Sequence, residues 1–264
     1  MEHIEEAIRL EVKTDPYAVK EQARWCGIKQ GQRVLDVGCG PGKVTSILRD
    51  LVQPGGEIVG VDNSKERIRH AESRYGDRPG ICFRLHDLTS PLTEMGEFDI
   101  IWARFFLEYF RRESREIVKN LAGCLKPGGY LCLLDLDHNC LNHYELPRKM
   151  EETLRKLMER LEREYNFDPF VGRKLYSFLY DMDFENIQVD VTAHHLIYGK
   201  IKDEDFFNWL KKVEVTSKKT LDLFGEYPGG HQAFFQDFTS FFSDPRRFTY
   251  TPLILCKGMK PLSS

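Results

Sequence analysis

From residue 33 onward, short apolar runs alternate with stretches whose apolar residues recur at helical spacing. RVLDVG (33–38) is an apolar run closing on glycine, and KVTSILRDL (43–51) follows it with helical spacing. Pro54-Gly55-Gly56 turn the chain into EIVGVD, a second apolar run, and SKERIRHAESRY after it is polar and helical. ICFRLHD and FDIIWARF give a third and a fourth strand. RESREIVKNLAGCL sets Ile117, Leu121 and Leu125 on one side of a helix, and KPGG turns into YLCLLDLD, a fifth strand. A strand covered on both faces reads as a near-continuous apolar run, so this alternation predicts an α/β fold with a parallel sheet between layers of helices.

The rhythm changes after residue 138. Leu146, Met150, Leu154, Leu157, Met158 and Leu161 fall at helical intervals in a strongly charged segment, which predicts a long inserted helix over 145–165. VGRKLYSFLYDMDFENIQVDVTAHHLIYG restores the helix-then-strand pattern, with His194 and His195 on opposite faces of an alternating strand. A second insertion, about 200–246, carries Phe206, Phe207, Trp209, Phe234, Phe235, Phe238, Phe241 and Phe242. FTYTPLILCKGM closes the chain as a last strand, and Pro252 within it argues for an edge position.

With 264 residues, 41% hydrophobic and 30% charged, the chain has the composition of one soluble domain, 1–264, with elaborations at 138–171 and 200–246. The formal net charge of −3 lacks the basic excess of a protein that lives on phosphates, so DNA is not an expected partner. Seven scattered cysteines, odd in number and without a C-x-x-C pair, read as reduced thiols rather than a disulfide frame or zinc knuckle. No apolar stretch reaches the length of a membrane span and MEHIEEAIRLEVK has no signal-peptide core, so the expected location is cytoplasmic, without a membrane partner. DLDHN with His143 holds oxygen and imidazole groups at the end of the fifth strand, but the expectation is no metal.

The first apolar run breaks into three alternate glycines, Gly38, Gly40 and Gly42, just where a helix begins. In an open parallel sheet the ligand crevice lies beyond the carboxyl ends of the strands. Glycine there lets a ligand approach the backbone, and the free amides of the following helix favour a carboxylate or phosphate. Asp62 ends the second run, placed for the vicinal hydroxyls of a ribose, and Asp87 ends the third, placed for an adenine edge. Glycines, Asp62 and Asp87 along one rim describe a nucleoside site. A dinucleotide fingerprint needs glycine where Lys43 stands, and a phosphate-binding loop needs Ser or Thr where Val44 stands.

D-V-G-C-G-P-G, Asp62, H-D-L at 86–88 and L-K-P-G-G-Y at 125–130 resemble, in order and spacing, the motifs of class I S-adenosylmethionine-dependent methyltransferases. The resemblance covers about residues 20–200 and looks nearest to the small-molecule, quinone-biosynthesis C-methyltransferase-like ("type 11") branch. It implies a Rossmann-like seven-stranded sheet, order 3-2-1-4-5-7-6 with strand 7 antiparallel, helical lid insertions, and an N-terminal helical cover over 1–30 that includes Tyr17. It implies S-adenosyl-L-methionine as cofactor. Gly38, Cys39, Gly40 and Gly42 would lie against its methionine part, Asp36 would orient its ammonium, and Asp62 would take the ribose hydroxyls. Asn63 would flank the adenine, Asp87 and Leu88 would read it, and the backbone of Arg104 would meet the ammonium while its side chain points elsewhere.

The implied activity is methyl transfer to a small organic molecule by in-line displacement. His138, Asp137 and His143 are the candidates for a general base. WARFF after the fourth strand lacks the Asn-Pro-Pro-Tyr-type sequence that grips base nitrogens, and no Pro-Cys pair faces a pyrimidine, so a small acceptor is preferred over DNA. The alternatives are an adenosyl-ligand sensor or scaffold without turnover, and a methyltransferase acting on RNA or protein. A nucleotide-dependent oxidoreductase is disfavoured by Lys43. Either a monomer or a homodimer is compatible with the sequence.

Overall fold

The computed structural model describes residues 14–139, 141–218 and 220–262. Its centre is one sheet: β1 (Arg33–Val37), β2 (Glu57–Asp62), β3 (Ile81–Leu85), β4 (Phe98–Arg104), β5 (Leu125–Leu136), β6 (His143–Tyr144), β7 (Glu185–Tyr198) and β8 (Phe248–Met259). The strand order is β3-β2-β1-β4-β5-β8-β6, with β7 also paired to β8. The first five strands are parallel, and β8 runs antiparallel to β5, β6 and β7. With β7 and β8 as sixth and seventh strands this is the expected order, extended by the two-residue β6.

Alternate residues of each inner strand feed opposite layers, which is why these strands read as unbroken apolar runs. On one face Val34, Ile58, Trp102 and Leu134 pack under α1 (Pro16–Cys26) and α2 (Lys43–Val52) through Val19, Ala23 and Leu48. On the other, Leu35, Ile101 and Leu133 pack under α4 (Ser114–Gly123) and α6 (Leu175–Tyr180) through Ile117, Leu121 and Leu179. On the Val34–Ile58 face, toward β3, α3 (Lys65–Tyr75) covers Phe83 and Cys39 with Ile68 and Ala71. The expected N-terminal cover is described only from Thr14, and the amphipathic start MEHIEEAIRLEVK lies outside the described residues; Tyr17 on α1 is exposed.

β8 is an interior strand, not the edge strand that Pro252 predicts. Pro252 sits opposite Ala193, where the β7–β8 register shifts between Ala193 and His195, and its carbonyl accepts from the Asp137 amide at 3.0 Å. A bulge tolerates a residue with no N–H to give to the ladder. The same extra residue cancels the alternation at the two histidines. Both are half-buried with ring centroids 4.2 Å apart, instead of facing opposite sides.

β5 stops at Leu136, opposite Leu253, whereas β8 extends back to Phe248 beside Tyr198 of β7. At a rise of about 3.3 Å per residue, the β6–β8–β7 ribbon stands about 17 Å beyond the carboxyl rim of the parallel strands. Its inner face, with Thr249, Thr251 and Ile197 buried, carries the two insertions. These form α5 (Arg148–Glu164), α7 (Asp203–Lys218) and α8 (Gly230–Ser243), which share a third core of Met150, Leu157, Trp209, Phe234, Phe238 and Phe242. Among the described residues, no helix is long and apolar enough to cross a membrane.

Candidate functional site

The turn between β1 and α2 holds Gly38, Gly40 and Gly42 at φ of +70°, +55° and +88°. A Cβ on Gly42 would lie 2.8 Å from Ala71 Cβ and 2.9 Å from Phe83 Cζ, and one on Gly38 would lie 2.8 Å from Phe106 Cδ2. Packing therefore demands glycine at both ends of the turn. Gly40 differs, because a Cβ there would meet nothing within 4 Å. Its open side is a cradle at the carboxyl rim of β1. The turn is tied to β2 by the Cys39 amide, which donates to the Val61 carbonyl at 2.9 Å, and by the Gly40 amide, which donates to Asp62 Oδ2 at 2.9 Å. The Cys39 side chain is buried beneath the turn, in the space left by Gly60.

Asp62 ends β2 as expected. It is buried, its Oδ1 accepts from the Ser64 amide at 2.9 Å, and the Arg67 guanidinium lies 3.9 Å from Oδ2. Asn63 beside it is exposed at the rim. Asp36, on β1, is 2% exposed, and its Oδ2 accepts from Thr45 Oγ1 at 2.6 Å. Burial pushes its carboxyl up to about 7, against the Thr45 hydrogen bond and the charge of Arg104, with Asp62 adding to the rise. Arg104 ends β4. Its Nε donates to Gln22 Oε1 at 2.8 Å and its guanidinium lies 4.0 Å over the Phe105 ring. Burial brings its pKa down to about 10 although Asp36 and Asp135 favour the cation. Its side chain thus turns toward α1.

β3 stops at Leu85, so Asp87 stands two residues beyond the strand rather than at its end. It is exposed and accepts from the Thr89 amide at 3.0 Å and Thr89 Oγ1 at 2.8 Å, bonds that hold its carboxyl below the usual range. Leu88 is buried in the same core as Phe106 and Leu107.

Two backbone conformations at this rim are unusual for residues with a side chain: Phe105, after β4, at φ +54°, and His138, after β5, at φ +50°. Such positions concentrate where function constrains the chain. Asp135 fixes the first of them, since its Oδ2 accepts from the amides of Phe106, Leu107 and Glu108 at 3.2, 2.8 and 3.3 Å, and its Oδ1 from Leu136 at 3.0 Å. Burial, and then the neighbouring Glu108, raise its pKa well above the carboxylate range.

The three base candidates are not brought together. Asp137 is held by Arg173 through two hydrogen bonds of 2.9 and 3.0 Å. His138 meets the Phe170 ring edge-on at 5.1 Å. His143 sits in the lid ribbon, with Nδ1 2.8 Å from Thr249 Oγ1 and its ring near Trp209 and Phe241. Sequence reasoning missed Thr45, Gln22 and the Asp135 clamp. Of these only Thr45 carried a local signal, a hydroxyl in the first turn of the helix that follows the glycines. Among the described residues, no cluster of three His, Cys, Asp or Glu side chains could hold a metal ion.

A 3-2-1-4-5-7-6 sheet with helices on both faces and a helical lid inserted near its end is the Rossmann-like methyltransferase fold. Residues 34–129 match the family profile described as "Methyltransferase domain". Over 194 residues, 70% of this chain and 67% of the relative, the sequence is 26% identical to an uncharacterized methyltransferase of Schizosaccharomyces pombe. It is 27% identical to the juvenile hormone acid O-methyltransferase of Bombyx mori, over 66% of this chain and 64% of that protein. Several further curated relatives are matched over only 21–49% of their length, so the chain spans about half of those proteins or less. Among solved structures, Haemonchus contortus phosphoethanolamine N-methyltransferase 2, in complex with phosphomonomethylethanolamine and S-adenosylhomocysteine, superposes with a TM-score of 0.57 at 15% identity, covering 93% of this chain and 52% of that one. At that identity the likeness is one of fold.

Proposed function

We propose that this protein binds S-adenosyl-L-methionine at the Gly38–Gly42 turn and transfers its methyl group to a small organic acceptor. The observation that carries the reading is the cradle itself: a Cβ on Gly40 would meet nothing within 4 Å while its amide is pinned to Asp62, so open backbone and buried acids meet at one rim. The donor set suits a ligand with an ammonium, vicinal hydroxyls and an adenine. Asp36 faces the ammonium, with Gly38, Cys39, Gly40 and Gly42 shaping the wall beside the amino-acid part. Asp62 takes the ribose hydroxyls, Asn63 flanks the base, and Asp87 with Leu88 closes on its edge. Arg104 supports the ammonium end by its backbone, its side chain being held by Gln22.

When bound, this cofactor supplies a methyl group already activated on a sulfonium. The chain's own task is then to align an acceptor in line with the bond to be broken and to keep water out, and orientation of this kind is worth about 7–11 kcal/mol. The 138–171 and 200–246 insertions are the lids that do this, and α1 (Pro16–Cys26) belongs to the N-terminal cover of a single domain. An acceptor that must lose a proton calls on His138, Asp137 or His143. Asp137 serves only when Arg173 releases it, whereas His138, two residues past β5, has no ion pair among the described residues. The relatives matched include methyltransferases named for small acceptors, which supports the substrate class.

Calorimetry with S-adenosylmethionine and S-adenosylhomocysteine tests the reading. Binding to the wild type is expected, with affinity reduced at least tenfold in Asp62→Ala; unaltered affinity in that variant refutes the ribose assignment, and absence of binding refutes the function.

A further inference from the structure

Among the described residues, two hydrogen-bond donors packed on one lid phenylalanine are buried without acceptors. Trp209 is 3% exposed, and its indole N–H has no partner. Arg247 is 2% exposed; Nε donates to the Phe242 carbonyl at 2.8 Å and Nη2 to the Gly199 carbonyl at 3.1 Å, but Nη1 has no partner. Both side chains pack on one ring, the indole 5.0 Å from Phe242 and the guanidinium 5.2 Å above it.

A buried guanidinium ordinarily meets a carboxylate. Among the described residues Arg247 hydrogen-bonds only to neutral carbonyls, Asp244 and Asp205 act on it from a distance, and burial lowers its pKa. The Phe242 carbonyl belongs to the last turn of α8, whose dipole offsets part of the charge, yet leaves Nη1 unsatisfied. Around Trp209 stand His143 and His195, each 5.4 Å from the indole, and Lys212, whose Nζ lies 5.6 Å from it and donates to Asn139 Oδ1 at 2.8 Å. Two buried donors with no acceptor among the described residues are complementary to an oxyanion. They are also joined to the rim. From Phe105, at the end of β4, ring-to-ring steps of 4.6 Å to His194, 4.2 Å to His195 and 5.4 Å to Trp209 lead into the lid.

We propose that the methyl acceptor is a small organic acid whose carboxylate is held in the lid by Arg247 Nη1–H and Trp209 Nε1–H. Its apolar body runs along the aromatic lid core, and its reacting atom points back to the Gly38–Gly42 turn. This rests on the methyl-transfer reading and adds the acceptor's chemical class to it.

The test uses the full chain, labelled with nitrogen-15 and saturated with S-adenosylhomocysteine. The sequence has three tryptophans, so the indole signal lost in Trp209→Phe identifies Trp209. Octanoate and cinnamate are titrated against octanamide and cinnamamide. The expected result is a shift of the Trp209 signal by the acids, with amides binding at least tenfold more weakly. Arg247→Gln should weaken acid binding at least tenfold while Arg247→Lys retains the preference for acids, with the calorimetric affinity for S-adenosylhomocysteine unchanged in both. Acids and amides binding alike, a Trp209 signal that no probe moves, or an Arg247→Gln chain that binds acids normally would each overturn the proposal. Failure of S-adenosylhomocysteine to bind instead removes the methyl-transfer reading beneath it.

Discussion

Asp36 gives cofactor binding a pH dependence whose size follows from its surroundings. Burial holds its carboxyl at about 7 in the free chain, so near pH 6 about nine molecules in ten carry a proton there. A ligand ammonium beside Asp36 favours the ionised form, and the proton must leave on binding. Apparent affinity for S-adenosylmethionine should therefore fall about tenfold from pH 8 to pH 6 and about tenfold more by pH 5, about 1.4 kcal/mol for each tenfold step. Calorimetry in buffers of different ionisation enthalpy should show about half a proton released at pH 7 and nearly one at pH 6. In Asp36→Asn the pH profile should flatten. The sign for stability runs the same way: the folded, unliganded chain keeps a proton that the unfolded chain loses above its ordinary carboxyl pKa. Stability from this group is thus complete below about pH 4 and is lost as pH rises to about 7, by up to about 4 kcal/mol. A wild-type affinity flat from pH 5.5 to 8, or an equal slope in Asp36→Asn, would refute the reasoning.

The two ends of the glycine turn should respond differently to one added methyl. Gly42→Ala meets Ala71 and Phe83 at a left-handed φ and should lose about 3 kcal/mol of stability in urea unfolding, whereas Gly40→Ala, with open space around it, should lose about 1 kcal/mol but at least tenfold in cofactor affinity. Asp135→Ala strips the acceptor from four amides at the ends of β4 and β5 and should cost about 3 kcal/mol or more by the same measurement, with Asp135→Asn losing less because one oxygen still accepts.

Much of this architecture was legible in the chain because the inner strands are covered on both faces. RVLDV, EIVGVD and FDIIWAR can hardly be read otherwise, and Gly38, Gly40, Gly42 and Asp62 follow directly where the first two end. What the sequence hid depends on distant partners. Nothing near Pro252 says that a bulge at residues 193–195 lets β8 enter the interior, and periodicity alone sends His194 and His195 to opposite faces. Asp135 reads as one more acid at the mouth of the crevice until the 106–108 amides fold onto it. Asp137 reads as a free carboxylate until Arg173, 36 positions later, pairs with it. Arg247 in DPRRF looks like a surface loop residue, and only the packing of α8 and β7 shows it to be buried.

The most direct measurement is a crystal structure of the chain grown with S-adenosylhomocysteine. The account requires the ligand's ribose hydroxyls on Asp62, its amino group beside Asp36, and its backbone-facing side against Gly40. Density for the ligand anywhere other than this rim, or a rim closed by protein side chains at saturating ligand, contradicts it.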